Sequence, residues 1–160
     1  MTAITGEYII RKAALRDVAL IAHQRAAMWR DINGLSPDEY EALRQACEAW
    51  IGPLFANGGY AGWFAERDGV AVAGGGLLIR QHGPYPGRLG PGRWAHIVNV
   101  YTEPKHRRRG LARRIMETMV DWCFEQGFAD ITLTASDEGR PLYESMGFEP
   151  TSDMRLVKWR

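Results

Sequence analysis

The stretch from Glu103 to Met116, EPKHRRRGLARRIM, concentrates the positive charge of the chain. It carries six Lys or Arg side chains within the ten positions 105–114, and no acidic residue lies among them. The whole chain has 20 basic and 19 acidic residues, so the remainder carries a net charge of −5. A general nucleic-acid binder is usually basic overall or along a broad face. We therefore expect no nucleic-acid partner. Positive charge confined to one short stretch favours a small ligand that bears phosphate.

The residues around this stretch predict how such a ligand would be held. A β-rich run, Arg93–Thr102, is followed by the basic loop and then by an apolar repeat that predicts a helix from Gly110. A helix N-terminus presents unpaired N–H groups and about half a positive charge, which together bind phosphate. Gly110 lets an anion approach the backbone, and the forked side chains of Arg107–Arg109 suit phosphate oxygens. Basic residues near a helix N-terminus are unfavourable without an anion, so we favour a phosphate site over a solvated basic loop.

Hydrophobic periodicity predicts the elements that must position this loop. The predicted elements are, in order, a strand at 7–13, helices at 15–32 and 36–55, two strands within 62–80, a strand at 93–102, a helix at 110–127, a strand at 129–135, a short helix at 139–146 and a last strand at 154–159. Ser36 and Glu39 match a capping box, and Asp68-Gly69 is a strong hairpin signal. This order predicts an α/β (α+β) fold, in which helices pack on a mixed sheet.

Three consecutive glycines, Gly74–Gly76, interrupt one of the predicted strands. Glycine inside a strand more often marks a bulge or a close approach of another group than a phosphate-binding loop. We therefore predict an irregular stretch of strand at this position.

Length and composition limit the classes to which the protein can belong. Its 160 residues, 46% hydrophobic and 24% charged, are typical of one globular domain, 1–160. The N-terminus, MTAITGEYII, lacks the pattern of a signal peptide, and the longest apolar run has ten residues, too few to span a bilayer. Cys47 and Cys123 have no metal-ligand or disulfide spacing and are predicted to be small buried hydrophobes. We expect a cytoplasmic protein with no metal and no membrane association.

Two segments resemble motifs of the GNAT superfamily of N-acetyltransferases. Arg107–Ala112, RRRGLA, fits the Arg/Gln-x-x-Gly-x-Gly/Ala signature of the family's pyrophosphate loop, and LTASDEGRPLYESMGFEP is similar to its next strand and helix, with a Tyr-x-x-x-Gly-Phe pattern. The order of the predicted elements also agrees with that of the family from Ile9 to Trp159, so the resemblance covers most of the chain. It implies a GNAT-like, mostly antiparallel central sheet, splayed at the cofactor site, with helices on both faces. Ala112 stands where a second glycine is commoner, and Ser136 where many relatives have an asparagine near the cofactor.

The resemblance implies an acetyl-CoA-dependent N-acetyltransferase. Such an enzyme moves the acetyl group of acetyl-CoA to a primary amine of a small molecule or peptide, by direct attack in a ternary complex. Main-chain groups of Val100, Tyr101 and Thr102 match those that hold the pantetheine arm and the thioester carbonyl in the family. The implied pyrophosphate site consists of Arg107, Arg108, Arg109, Gly110, Leu111, Ala112 and Arg113.

The same resemblance implies two residues that move protons. Tyr143 matches the family's frequent general acid, and a phenol with a pKa of about 10 keeps its proton at neutral pH. His96 matches a position where some relatives place the base, and an imidazole with a pKa of about 6.5 accepts a proton directly or through water. The alternatives are a core tyrosine and an ordinary strand histidine, with a water chain as the base. In a regular strand, Asn99 would point to the face opposite His96.

The resemblance also places the acceptor pocket between the first two helices and the loop before the main strand. The candidate residues there are Met28, Trp29, Trp50, Tyr60 and Tyr85, which predict aromatic walls. The amine itself is left open: an antibiotic, a polyamine, an amino acid or a protein terminus. Also left open are a non-catalytic acyl-CoA-binding regulatory domain on the same fold, and a homodimer in which the last strand, with Trp159, pairs with another chain.

Overall fold

A computed structural model describes residues 7–128 and 130–158 of the chain. Within these residues, five strands form one sheet in chain order, antiparallel from the first to the fourth, with the fifth parallel to the fourth. The strands are β1 Ile9–Lys12, β2 Tyr60–Arg67, β3 Val70–His82, β4 Gly92–Thr102 and β5 Ile131–Leu133. The helices are α1 Val18–Asn33, α2 Pro37–Ala56, α3 Leu111–Glu125 and α4 Arg140–Ser145. The predicted fold class, a mixed and mostly antiparallel sheet with helices, is confirmed.

Two local signals in the sequence set the start of α2 and the β2–β3 hairpin. Ser36 Oγ accepts a hydrogen bond from Glu39 N at 3.2 Å, and Glu39 Oε2 accepts one from Ser36 N at 2.8 Å. This is the predicted capping box, which satisfies amides that the first helical turn leaves unpaired. Asp68 and Gly69 turn the chain with φ angles of 53° and 76°, the left-handed pair that a two-residue hairpin favours.

Helices cover both faces of the sheet, as the resemblance implied. On one face, hereafter the α3 face, α3 packs against β2, β3 and β4 through its apolar stripe. That stripe consists of Leu111, Ile115, Met116, Met119 and Cys123. On the other face, the α1/α2 face, Ile21 of α1 and Ile51 of α2 pack with Phe64 of β2. Across residues 7–128 and 130–158, no helix combines the length and apolarity that crossing a membrane requires.

The glycine run in β3 lies opposite a β-bulge in β4. The pairing of the two strands shifts between Gly74 and Gly76, so that one residue of β3 opposes two residues of β4. Asn99, one of those two, has a φ of 60°, in the left-handed region that Asn tolerates better than most residues. The predicted irregularity is confirmed, and its extra residue lies in β4.

The bulge changes the face of the sheet that Asn99 occupies. The expectation that Asn99 and His96 point to opposite faces is wrong, because the extra residue shifts the alternation of side chains by one position. Asn99 Nδ2 donates a hydrogen bond to Tyr60 Oη at 3.1 Å, and Tyr60 belongs to the α1/α2 face. His96 pairs with Leu78, which packs on the same face. Asn99 and His96 therefore share the α1/α2 face.

The last predicted strand is wrong over the residues that the structure describes. Residues 154–158 form no strand, and the side chains of Met154 and Leu156 are exposed. Strand propensity reflects packing against neighbours, and this segment buries neither side chain. Trp159, the remaining residue of the prediction, lies outside the described residues.

The strand predicted at 129–135 is shorter than expected. β5 spans Ile131–Leu133 only, and Ala129 lies outside the described residues. β5 pairs in parallel with Ala95–Ile97 of β4, so contact between the two strands ends just before the bulge.

We expect Gly76→Ala to destabilise the protein by about 1–3 kcal/mol, the usual cost of overpacking a buried site. A Cβ at Gly76 would overlap the hydroxyl of Tyr60, which is buried on the α1/α2 face. Gly52→Ala is the matched control, because its Cβ would lie 4.0 Å from Val18 and Ala stabilises a helix interior by about 0.5–1 kcal/mol relative to Gly. Urea unfolding measures both free energies, and equal midpoints for the two variants would contradict the predicted overlap.

Candidate active site

The loop between β4 and α3 presents a row of unbonded main-chain amides. The chain takes left-handed φ angles of 60° at Arg108 and 74° at Gly110, just before α3 begins. Within the described residues, the amides from Arg108 to Arg113 donate to no protein acceptor, and the first main-chain bond at this helix start runs from Arg114 N to Gly110 O at 3.1 Å. A Cβ on Gly110 would meet no atom within 4 Å. An anion can therefore reach these amides, where the helix dipole also favours it.

Arg107 and Leu111 anchor this loop to the rest of the fold. Arg107 Nε donates to Thr102 O at 2.9 Å, and its Nη2 donates to Asp31 Oδ2 of α1 at 2.6 Å. The side chain of Leu111 is buried on the α3 face, and that of Ala112 is half-buried. Leu111 and Ala112 therefore present their main-chain amides to a ligand.

The other arginines of the loop differ in what they contact. Arg113 Nη2 donates to Ser145 Oγ of α4 at 2.5 Å, which joins the start of α3 to α4. Arg108 and Arg109 are exposed, and neither forms an ion pair with a described residue. Their guanidinium groups are thus the positive charge that the loop offers to a phosphate.

β4 separates from β5 at the bulge, so the predicted splay of the sheet lies beside this loop. Beyond Ile97, the described residues give β4 a neighbouring strand on the β3 side alone. The side chain of Val100 packs on the α3 face, and the buried Tyr101 donates from its hydroxyl to Glu103 Oε2 at 3.3 Å. The open edge presents main-chain groups that an extended ligand can bond as an added strand.

Tyr143 lies on α4 with its ring packed against the apolar cluster of the α3 face. The ring contacts Phe148 edge-on, with 6.2 Å between centroids, and the hydroxyl bonds to no described residue. Burial raises the pKa of Tyr143, so the oxygen keeps its proton at neutral pH. Just before α4, Ser136 Oγ accepts a hydrogen bond from Gly139 N at 3.1 Å and thereby fixes the loop that leads to Tyr143.

His96 lies in β4 on the α1/α2 face. Its Nδ1 is hydrogen-bonded to Thr132 Oγ1 of β5 at 2.8 Å. Burial and, to a smaller extent, the positive charge of Arg80 lower the pKa of His96, so the imidazole is neutral at pH 7. When Nδ1–H is the donor to Thr132, Nε2 is free to accept a proton. The two predicted proton-transfer residues thus lie on opposite faces of the sheet.

Two of the aromatic residues predicted for the acceptor pocket, Trp29 and Trp50, contact the guanidinium of Arg25. Trp29 of α1 and Trp50 of α2 are 37% and 40% exposed, and the Cζ atom of Arg25 lies 6.0 Å and 5.1 Å from their ring centroids. Arg25 Nη1 donates to Asn99 Oδ1 at 2.8 Å, and Asn99 in turn bonds to the buried Tyr60. These side chains line the α1/α2 face next to the bulge.

The other two candidates for the pocket lie apart from that contact. Met28 is half-buried on α1. Tyr85 lies in the β3–β4 loop, where its ring is 5.3 Å from that of His82, and within the described residues no ring contact joins it to the tryptophans. The structure therefore brings Trp29, Trp50 and Tyr60 together through Arg25 and Asn99, and leaves Tyr85 out.

Sequence reasoning missed Arg25 and the role of Asn99. An Asn inside a run rich in β-branched and aromatic residues is unusual, since strands are depleted in Asn, and this was a usable signal for a left-handed residue. Arg25 carried no such signal, because its place beside β4 depends on how α1 packs on the sheet.

A family model and two curated proteins are similar to parts of this sequence. Residues 25–148 match the model of the Acetyltransferase (GNAT) family. A mouse (Mus musculus) protein, "Probable N-acetyltransferase family 8 member 5", is 30% identical over 113 residues, which are 66% of this chain and 46% of that protein. Human (Homo sapiens) "N-acetyltransferase 8" is 27% identical over 66 residues, 39% of this chain and 29% of that protein. The chain thus spans less than half the length of these curated relatives.

Crystal structures share the fold over nearly the whole chain. A GCN5-related N-acetyltransferase from Ralstonia eutropha superposes with a TM-score of 0.83 at 30% identity, covering 94% of this chain and 98% of that one. A "predicted acetyltransferase" from Clostridium acetobutylicum, crystallised with acetyl-CoA, has a TM-score of 0.82 at 27% identity and covers 95% of this chain and 96% of that one. Since the family match spans β4, the loop with free amides and α4, the chain belongs to the acetyltransferase (GNAT) family.

Proposed function

We propose that this protein moves the acetyl group of acetyl-CoA to a primary amine of a small molecule or peptide, by direct attack in a ternary complex. The observation that carries the proposal is the row of amides from Arg108 to Arg113, which donate to no protein acceptor within the described residues. They surround the left-handed turn at Gly110, at a helix N-terminus suited to a pyrophosphate. Family membership supports the same assignment.

The residues of the loop and the open strand edge fit coenzyme A. The free amides hold the pyrophosphate, and the exposed guanidinium groups of Arg108 and Arg109 add charge-assisted hydrogen bonds. Val100 and Thr102 direct their main-chain groups to the open edge of β4, because Glu103 N bonds to Val72 O on the β3 side and the two edges alternate along a strand. These groups align the pantetheine arm as an added strand. When bound, acetyl-CoA supplies an acetyl group activated as a thioester.

Two side chains move protons from opposite faces of the sheet. His96 Nε2 accepts the proton of the substrate ammonium on the α1/α2 face, while Thr132 holds Nδ1. Tyr143 donates its phenolic proton to the departing thiolate on the α3 face. His96 passes that proton to solvent, and the neutral amine nitrogen then bonds to the acetyl carbon as the carbon–sulfur bond breaks. The nitrogen gives its second proton to His96, while the thiolate takes one from Tyr143. Between turnovers, solvent takes the second proton from His96 and returns one to Tyr143, so each turnover releases one net proton.

A screen of chemically diverse amines with acetyl-CoA tests the proposal, with released thiol as the readout. We expect time-dependent thiol release with at least one amine, and stabilisation of the native state by coenzyme A in a melting experiment. Stabilisation without turnover on any amine would support the alternative, a non-catalytic acyl-CoA-binding regulatory domain. An unchanged melting temperature in micromolar coenzyme A would overturn the cofactor assignment.

The pH dependence of kcat tests the role of His96. Since the pKa of His96 is lowered, the imidazole stays neutral below its usual pKa of about 6.5. We expect kcat at saturating amine to hold its plateau down to about pH 6.5 and to fall only at lower pH. In His96→Gln the plateau is lower and this acid limb disappears, whereas His82→Gln, which alters the other histidine of the sheet, keeps the limb. An unchanged limb in His96→Gln would assign the base to another group.

A further inference from the structure

The guanidinium of Arg25 lies on the acceptor side of the sheet without a counter-charge. Arg25 is half-buried, lies between Trp29 and Trp50 and donates to the amide oxygen of Asn99 at 2.8 Å. Within the described residues, no carboxylate comes within salt-bridge distance of it, whereas Arg107 on the same side of the sheet pairs with Asp31. Its polar neighbours are uncharged.

Those neighbours do not neutralise the charge. Burial raises the pKa of the Cys47 thiol, an effect larger than the opposing effect of Arg25, so the sulfur stays protonated. Tyr60 is buried and keeps its proton as well, since burial raises the pKa of its phenol to about 12. A half-buried cation without an anion is unfavourable, and a guanidinium has more N–H donors than Asn99 uses. An anionic group from a ligand would satisfy both the charge and the remaining donors.

The position of Arg25 relates this anion site to the reacting atoms. Its partner Asn99 is the left-handed residue of the bulge and lies in the part of β4 beyond Ile97, where β5 no longer pairs with the strand. His96 lies on the same face, three positions earlier in β4. An acceptor whose anionic group binds Arg25 would therefore have its other end close to the base and to the strand edge that holds the cofactor.

We propose, on the basis of the function proposed above, that Arg25 is a specificity-determining residue that binds the carboxylate of an amine acceptor. The planar guanidinium fork matches a carboxylate in two-point geometry. A single cation also balances a monoanion and leaves a phosphate dianion undercompensated. Trp29 and Trp50, partly exposed on either side, supply apolar surface to the rest of the acceptor.

Matched acceptors test the proposal. The probes are α-amino acids, β-alanine and γ-aminobutyrate, each beside its carboxamide, together with 2-aminoethylphosphonate. For the best carboxylate acceptor, we expect the wild-type kcat/KM to exceed that of its carboxamide by about 10- to 100-fold, the range for hydrogen bonds to a charged group. In Arg25→Gln this ratio falls to about threefold or less, mainly through KM, and Arg25→Lys retains part of it.

Arg30→Gln is the control, because Arg30 lies on the same helix and pairs with Asp31; we expect it to keep the wild-type ratio. A role of Arg25 confined to holding Asn99 and the bulge predicts instead that both acceptors lose activity equally, with the ratio unchanged. An unchanged ratio would overturn the carboxylate site. So would a wild-type enzyme that shows no preference for carboxylates, or one that prefers the phosphonate. Acetylation of amines without carboxylate preference refutes this inference alone, whereas no acetylation of any amine refutes the proposed function.

Discussion

Gly110→Glu is expected to weaken coenzyme A binding by about 1000-fold or more, while the fold survives. The loss has two sources: the side chain occupies the open space through which phosphate reaches the amides, and its negative charge repels the pyrophosphate. Several charge-assisted hydrogen bonds are lost together, each with a net contribution of about 1.5–3 kcal/mol. Titration calorimetry with coenzyme A measures the affinity, and thermal unfolding without ligand measures the fold.

Gly127→Glu separates the effect on the ligand from the effect on the backbone. Gly127 follows the other end of α3 and has the same φ of 74°, and a Cβ on it would also meet no atom within 4 Å. Both variants carry the same left-handed backbone cost, about 1–2 kcal/mol, and the same change in charge. We expect Gly127→Glu to bind coenzyme A as the wild type does. Binding by Gly110→Glu within about threefold of the wild type, roughly 0.7 kcal/mol, would place the pyrophosphate elsewhere.

The parts of the fold that the sequence predicted are those with a local cause. The capping box at Ser36 uses side chains three residues apart, and the turn at Asp68-Gly69 needs only two residues that accept a positive φ. The helix after Gly110 was predicted from an apolar stripe with one spacing throughout. Interactions of this range are encoded in a short window of sequence, and they were predicted correctly.

The parts that were missed depend on pairing between distant segments. The glycines of β3 indicated an irregular strand, but the extra residue belongs to β4, because register is decided by both strands together. That one residue brought Asn99 onto the face of His96. The segment 154–158 has the composition of a strand but forms none, since composition supplies no partner.

The candidate site also has a part that follows from local sequence and a part that follows from long-range contacts. The loop with free amides was predictable because charge, glycine and helix start follow one another in the sequence within 107–112. Arg25 was not, because an arginine on an amphipathic helix is usually solvated, and its isolation from carboxylates appears only when α1 lies against β4. Long-range contacts thus determine the surroundings of Arg25, while local sequence determines the loop between β4 and α3.

Tyr143→Phe is expected to lower kcat by about 100- to 10,000-fold, the usual contribution of a general acid, with little change in the affinity for acetyl-CoA. The substitution keeps the ring that packs on Phe148 and the α3 face. The hydroxyl bonds to no described residue, so its removal leaves no buried partner unsatisfied and should change stability by about 0.5 kcal/mol or less. A loss of turnover in this variant therefore reports on proton donation and not on folding.

Tyr8→Phe is the matched control for Tyr143→Phe. Tyr8 also packs against the cluster of the α3 face, but its hydroxyl is bonded to His106 at 2.9 Å, so the variant removes a phenol that is already engaged. We expect Tyr8→Phe to keep kcat within about threefold of the wild type, roughly 0.7 kcal/mol of activation free energy. Steady-state kinetics with saturating acetyl-CoA measures both variants. If Tyr143→Phe retains wild-type turnover as well, the thiolate departs with a proton from solvent, and Tyr143 serves only to pack α4 on the sheet.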